Sequence, residues 1–242
     1  MKRIIKDVFE ADRETRRRLL EYLETLITEN RKQKFGEVLA GRTRHITIVL
    51  EDIFQPHNAS AVLRTCDCFG IQDVHIIENK NKYEVNPDVA LGSSKWLSLF
   101  KYNHSENNTA ACLNHLKEQG YRIIATTPHQ DDYTPATLPL DPKFALVFGT
   151  ELDGLTPTAM DLADGFVKIP MFGFTESLNI SVSAAIFLHT LSNRLRERDN
   201  SWHLSEEEYL KVRLEWALQS VKRSDLVAAE FLEKQSRSGN NQ

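Results

Sequence analysis

The chain has 242 residues, 41% hydrophobic and 26% charged, with a formal net charge of −4. This composition excludes a wholly disordered, collagen-like or disulfide-dense protein, and no apolar run approaches the roughly 20 residues that span a bilayer. Three cysteines give no disulfide framework and point to the cytoplasm, the basic start lacks the apolar stretch of a secretory signal, and the mild acidity argues against a nucleic-acid partner.

The charge is uneven along the chain. Residues 1–45 hold 12 Lys and Arg against 8 Asp and Glu, residues 46–190 hold 9 against 17, and residues 191–242 hold 9 of each. A basic arm on an acidic body is one reading of this step, and a solvated helix surface is the other. Leu19, Leu23, Leu26 and Ile27 recur at helical spacing, so residues 1–45 read as a basic helical N-terminal arm.

From residue 46 the texture changes. The run Ile46-Thr47-Ile48-Val49-Leu50 is a buried strand candidate, followed by similar runs at 74–77, 122–125, 145–148 and 166–169. Helical patterns lie between them at 59–68, 109–119 and 156–163, the last opening on the cap-and-proline pair Thr156-Pro157. Alternating strands and helices predict an α/β domain over 46–196, a parallel sheet with helices on both faces. Residues 197–242 read as a helical extension. Ser205-Glu206-Glu207-Glu208 forms a capping box, a helix covers 224–234, and the tail from 236 is polar and frayed.

The usual nucleotide-binding and hydrolase motifs are absent. No G-x-G-x-x-G follows a strand, and no G-x-x-x-x-G-K-[ST], H-E-x-x-H or G-x-S-x-G occurs. Cys66 and Cys68 point to different faces of a helix and read as structural cysteines. No metal is expected.

Three other segments stand out. The first runs from Gln55 to Asp67, with Asn58 at a helix start where it suits an N-cap. Arg64 in the same segment has mostly apolar neighbours. It needs either an internal carboxylate such as Asp67 or an external anion, and taken alone the internal pair is favoured. The second is Val147-Phe148-Gly149-Thr150-Glu151-Leu152-Asp153-Gly154-Leu155, a strand entering a glycine-bounded turn. Open α/β sheets bind ligands at such strand ends. The third runs from Ile169 through Met171 and Ser177-Leu178-Asn179 into the small-residue helix Ser181-Val182-Ser183-Ala184-Ala185. Capping by Ser177 or Asn179 is its plain reading.

In this order the three segments resemble the motifs of the SpoU/TrmH branch of the SPOUT RNA methyltransferases, over roughly residues 46–196. Gly92-Ser93-Ser94-Lys95-Trp96 adds to the likeness. The resemblance implies a SPOUT-type deep trefoil knot, a topology rare among folds in general, and a homodimer formed through the knot domain, with the site completed near its interface. It implies S-adenosyl-L-methionine as cofactor, contacted by Thr126, Gly149, Ile169, Met171, Leu178 and Asn179. Arg64 and Asn58 would be catalytic, supported by Glu151 and Ser177. The family pattern leads us to expect Val-Gln where Thr175-Glu176 stands, so the role of Glu176 is open.

The activity implied is 2′-O-ribose methylation of RNA, with guanosine 18 of the tRNA D-loop as the leading target. Another RNA position (tRNA wobble or rRNA) and a catalytically silent RNA-binding dimer are the alternatives. Under the leading reading, Arg13, Arg16, Arg17, Arg18, Arg31, Lys32, Lys34 and Lys95 are candidate RNA contacts.

Overall fold

A computed structural model describes residues 2–84, 86–90, 92–130, 132–150 and 152–239. In chain order its elements begin with α1 (Lys2–Glu10), α2 (Arg13–Glu24), α3 (Glu29–Leu39), β1 (Ile46–Glu51) and α4 (Pro56–Cys68). They continue with β2 (Asp73–Ile77), α5 (Pro87–Ala90), β3 (Ser98–Tyr102), α6 (Asn108–Glu118), β4 (Arg122–Thr126) and β5 (Phe144–Phe148). The last are α7 (Pro157–Leu162), β6 (Gly165–Val167), α8 (Ile180–Arg196), α9 (Glu206–Ser220) and α10 (Ser224–Gly239).

The chain divides into two compact units. Met1–Gly41 and Leu204–Gln242 form one, and Arg42–His203 the other.

The helical unit is thus built from both ends of the sequence. Leu19, Leu20 and Leu23 of α2 share a core with Leu214, Ala217 and Leu218 of α9. Side chains close the helix starts: Asp12 accepts from Thr15 N, Thr28 from Arg31 N, and Ser205 and Glu208 form the expected capping box. α10 runs on to Gly239 where a frayed tail was expected from 236. The unit holds 16 Lys and Arg against 15 Asp and Glu, a net charge of +1. The larger excess counted over residues 1–45 came partly from Arg42 and Arg44, which fold into the other unit. There Arg42 is fully buried against Asp67, and Arg44 Nε lies 2.9 Å from Asp73.

The α/β unit is a six-stranded sheet in the order β3-β2-β1-β5-β4-β6, and every strand pairing in it is parallel. All six residues of β1 are buried, as expected of a strand covered on both faces. Strand alternation sends Ile46, Ile48 and Leu50 into a core shared with Val62 and Leu63 of α4 and Leu188 and Leu191 of α8. Val49 points the other way, into a core with Cys112 and Leu116 of α6 and Ala159 of α7. Because the strands are parallel, the loops leaving β1, β4, β5 and β6 emerge at one edge of the sheet.

Two local expectations are corrected. α4 begins at Pro56, with extended Gln55 as its boundary residue, so Asn58 is inside the helix and does not cap it. Proline suits the first helical position and holds the residue before it out of helical geometry. The edge strand β3 was not expected. Its sequence Ser-Leu-Phe-Lys-Tyr is only partly buried and lacks the apolar run that marks an inner strand.

Candidate active site

The loops after β4, β5 and β6 enclose a cavity of about 380 Å³ at the C-terminal edge of the sheet. Thr126, Gly149, Ile169, Met171, Ser177 and Leu178 all line it. Residues 52 positions apart in sequence therefore meet because three neighbouring parallel strands end side by side.

Each wall has a local cause. Thr126 ends β4, and its hydroxyl donates to Val147 O at 2.8 Å, binding the first wall to the strand of the second. Gly149 follows β5 where the chain doubles back: Thr150 N donates to Gly154 O at 3.0 Å and Gly154 N returns the bond at 3.1 Å. A Cβ on Gly149 would lie 2.2 Å from Gly154 O, so only glycine fits that closure. The same loop is anchored from below by Glu51, whose carboxylate is 1% exposed at the end of β1. Glu51 Oε2 accepts from Thr156 N at 2.9 Å, and Oε1 accepts from Thr156 Oγ1 at 2.7 Å and Thr109 Oγ1 at 2.5 Å. Thr156 Oγ1 in turn accepts from Ala159 N, capping α7.

The third wall leads into α8. Asn179 is the N-cap of that helix, its Oδ1 accepting from Ser181 N at 2.9 Å. Its Nδ2 donates to Asn58 Oδ1 at 3.1 Å. Asn58 is 3% exposed and donates its own Nδ2 to Gln55 Oε1 at 3.1 Å. The capping role read from the sequence is therefore present at Asn179, together with a bond that ties the cavity loop to α4.

Arg64 stands six residues beyond Asn58 on α4, about 9 Å along the helix axis. It does not pair with Asp67, whose carboxylate is taken by Arg42. Among the described residues the exposed Arg64 side chain has no hydrogen bond or ion pair, and it does not line the cavity. Glu151 lies outside the described residues. Three ionisable side chains not read as site residues, His129, Lys168 and Asp153 of the second segment, also line the cavity, as does Glu176. Each of the three follows the end of β4, β5 or β6 by at most five residues, the signal by which they could have been found.

Of the candidate RNA contacts, most in the helical unit are engaged in ion pairs. Arg13 meets Glu206 at 2.7 Å, Arg16 meets Glu207 at 2.5 Å and Arg17 meets Glu14 at 2.9 Å. Lys32 and Lys34 pair with Glu29 and Glu37 along α3, and Arg31 also has a partner. Arg18 is exposed with no such pair among the described residues. Lys95 is exposed in the α/β unit. Cys66 is buried, and desolvation pushes its thiol up from the ordinary cysteine range. Among the described residues no group of three or more His, Cys, Asp or Glu is placed to hold a metal ion.

A parallel α/β unit whose cavity is walled by the loops of three adjacent strands, with an asparagine pair outside the lining that ties the third loop to α4, defines a class of ligand-binding α/β proteins. The sequence profile of the SpoU rRNA Methylase family matches residues 45–189, and the chain belongs to that family. It is 45% identical to the tRNA (guanosine(18)-2′-O)-methyltransferase of Borreliella burgdorferi, over 83% of this chain and 90% of that protein. The protein of the same description from Thermus thermophilus is 35% identical over 78% of this chain and 96% of its own. Among solved structures, the A. aeolicus TrmH/SpoU tRNA modifying enzyme superposes with a TM-score of 0.72 at 29% identity. That match covers 81% of this chain and 98% of the other.

Proposed function

We propose that this chain is an S-adenosyl-L-methionine-dependent tRNA 2′-O-methyltransferase acting on guanosine 18 of the D-loop. The observation that carries this reading is the convergence of Thr126, Gly149, Ile169, Met171 and Leu178 on one cavity, joined to α4 through Asn179 and Asn58. Relatives described as tRNA (guanosine(18)-2′-O)-methyltransferases, covered over most of their own length, supply the substrate.

The cavity fits the cofactor. About 380 Å³ lies within the ordinary range of ligand pockets. The side chains of Phe148, Leu155, Val167, Ile169 and Leu178 give a purine an apolar bed. The backbone turn at Gly149, where no side chain can stand, allows close approach of a ligand to main-chain groups. Bound there, S-adenosyl-L-methionine supplies an electrophilic methyl group on a sulfonium.

The chain's own residues then have defined tasks. Transfer to a ribose oxygen is an in-line displacement, so holding the nucleotide in line supplies much of the acceleration. Arg64 clamps a substrate phosphate with two parallel N–H bonds and stabilises charge developing on the attacking oxygen. The 2′-hydroxyl proton leaves as the methyl group transfers, either to the phosphate that Arg64 holds or to a transiently deprotonated Arg64. Asn58 and Asn179 fix the position of α4 relative to the cofactor loop, with Ser177 on that loop. Lys95 and the basic residues of the helical unit contact the tRNA backbone. Exposed ion pairs contribute only about 0–1 kcal/mol, so phosphates can displace the glutamates now held by Arg13, Arg17, Lys32 and Lys34.

A homodimer belongs to this proposal. Arg64 does not line the cavity of its own chain, which supports a site completed near a dimer interface. α8 exposes Val182 and Ile186, and Phe172 and Phe174 are almost fully exposed on the loop before it, an apolar surface of the kind that a second copy covers. The deep knot is part of the same reading, supported by the placement of β4 between β5 and β6 and by the three loops that meet at the cavity. A cytoplasmic location fits the free thiols Cys66, Cys68 and Cys112. Among the described residues no helix is long and apolar enough to cross a membrane.

The test is incubation of the purified protein with methyl-labelled S-adenosyl-L-methionine and total tRNA, followed by position mapping. Label on the ribose of guanosine 18 is expected. Label at the wobble position overturns the assignment, and no label in any tRNA with retained tRNA binding would identify a silent binder.

A further inference from the structure

The amide chain that joins the third cavity loop to α4 has a fixed polarity. A backbone N–H can only donate, so the bond from Ser181 N settles which end of the Asn179 amide is oxygen. The Nδ2 of Asn179 therefore faces Asn58 and must meet its oxygen, as it does at 3.1 Å. The Nδ2 of Asn58 is then turned to Gln55 and meets Oε1, also at 3.1 Å. The remaining end of the chain is Gln55 Nε2, which carries two N–H donors. Gln55 is exposed, does not cap α4 with its side chain, and finds no acceptor for Nε2 among the described residues.

The surroundings favour an anionic partner. Residues 54–64 contain no carboxylate, although the α/β unit as a whole holds 14 Lys and Arg against 19 Asp and Glu. The exposed side chains of this stretch include Gln55, His57 and Arg64, which can all donate. Gln55 and Arg64 are separated by about 13 Å along the helix axis. An RNA strand crossing α4 can meet both.

We propose that Gln55 is an RNA-contacting residue, its Nε2 donating to a phosphate or ribose oxygen of the substrate strand while its Oε1 holds Asn58. The inference rests on the tRNA methyltransferase reading and deepens it. It gives an outward donor to the amide chain that runs from exposed Asn179 through buried Asn58, so that the cofactor loop and the RNA contact are set by one run of hydrogen bonds.

Two variants separate contact from scaffold. Gln55→Glu keeps an acceptor for Asn58, removes the outward donor and adds a charge. Gln55→Met removes donor and acceptor alike and adds no charge. Michaelis constants for tRNA and cofactor affinity by calorimetry are measured for both beside the wild type. A rise of about tenfold in the tRNA Michaelis constant is expected in both variants, the size of one lost hydrogen bond to a charged oxygen. Cofactor affinity is expected to stay within about twofold. A rise in Gln55→Glu alone assigns the effect to repulsion, and a rise in Gln55→Met alone assigns it to support of Asn58; either overturns the proposal. So does an unchanged constant in both, or a parallel loss of cofactor affinity. A wild-type protein inactive on tRNA but binding cofactor would instead defeat the function proposed above.

Discussion

Asn179 donates its Nδ2 to Asn58 Oδ1 at 3.1 Å, across 121 residues of sequence, and at the same time caps α8 through Ser181 N. One side chain thereby fixes both the start of a helix and the position of the cavity loop against α4. The two tasks can be separated by substitution. Asn179→Ala loses both, and should lower unfolding free energy by about 1 kcal/mol. Asn179→Asp keeps an acceptor for the helix end and should melt close to wild type, while methyl transfer falls in both variants. Thermal melts with steady-state rates check the split; equal destabilisation of the two would count against it.

Arg64 offers a second measurement. Its guanidinium is exposed, and Asp67, the carboxylate nearest in sequence, is held by Arg42. Arg64→Lys keeps the charge and loses the planar pair of donors. A drop of about 10²-fold in kcat is expected, with cofactor affinity unchanged. Single-turnover rates and calorimetry test this, and a near-normal kcat would remove Arg64 from the chemistry.

Glu51 is the anchor beneath the cavity, accepting three hydrogen bonds at the buried end of β1. A glutamine in its place would keep one carbonyl acceptor and turn an N–H₂ group against a donor. Glu51→Gln should therefore cost about 1–3 kcal/mol in denaturant unfolding. Cofactor affinity should fall as well, because Thr156 closes the loop that begins at Gly149. Full stability with weakened cofactor binding, or the reverse, would show that the anchor and the loop are uncoupled.

Acid stability should carry the signature of His75. Burial pushes its imidazole down to about 3, with His115 adding to the shift. The ring stacks on Phe100 with centroids 4.8 Å apart, and its Nδ1 lies 3.1 Å from the Tyr102 hydroxyl. The folded-state value is below the unfolded one, so the unfolded chain takes up the proton first as pH falls. The stability contributed by neutral His75 is complete above about pH 6.5 and is lost progressively toward pH 3. In His75→Phe, the melting temperature should fall less steeply between about pH 6.5 and 4. A slope equal to wild type in that window would mean that His75 does not titrate across unfolding.

Much of the fold was legible in the sequence. The apolar runs of β1, β2, β4 and β5 are set by burial on both faces, and that demand leaves a pattern in consecutive residues. Thr156-Pro157 and Ser205 with Glu208 announced two helix starts through local hydrogen bonding alone. The edge strand β3 left no such pattern because only part of it is buried. The charge step also misled in part, since Arg42 and Arg44 belong by contact to Asp67 and Asp73 of the α/β unit.

The sequence by itself determined the family, the parallel α/β class and the motif residues, because residue type and spacing carry those. Only the tertiary structure decided which motif residues touch. Three parallel strands ending together bring Thr126, Gly149 and Leu178 to one cavity, while Arg64 stands outside it, with no partner among the described residues. Only the folded chain gives the amides of Asn179, Asn58 and Gln55 a direction, because hydrogen-bond polarity depends on which donor faces which acceptor across the fold.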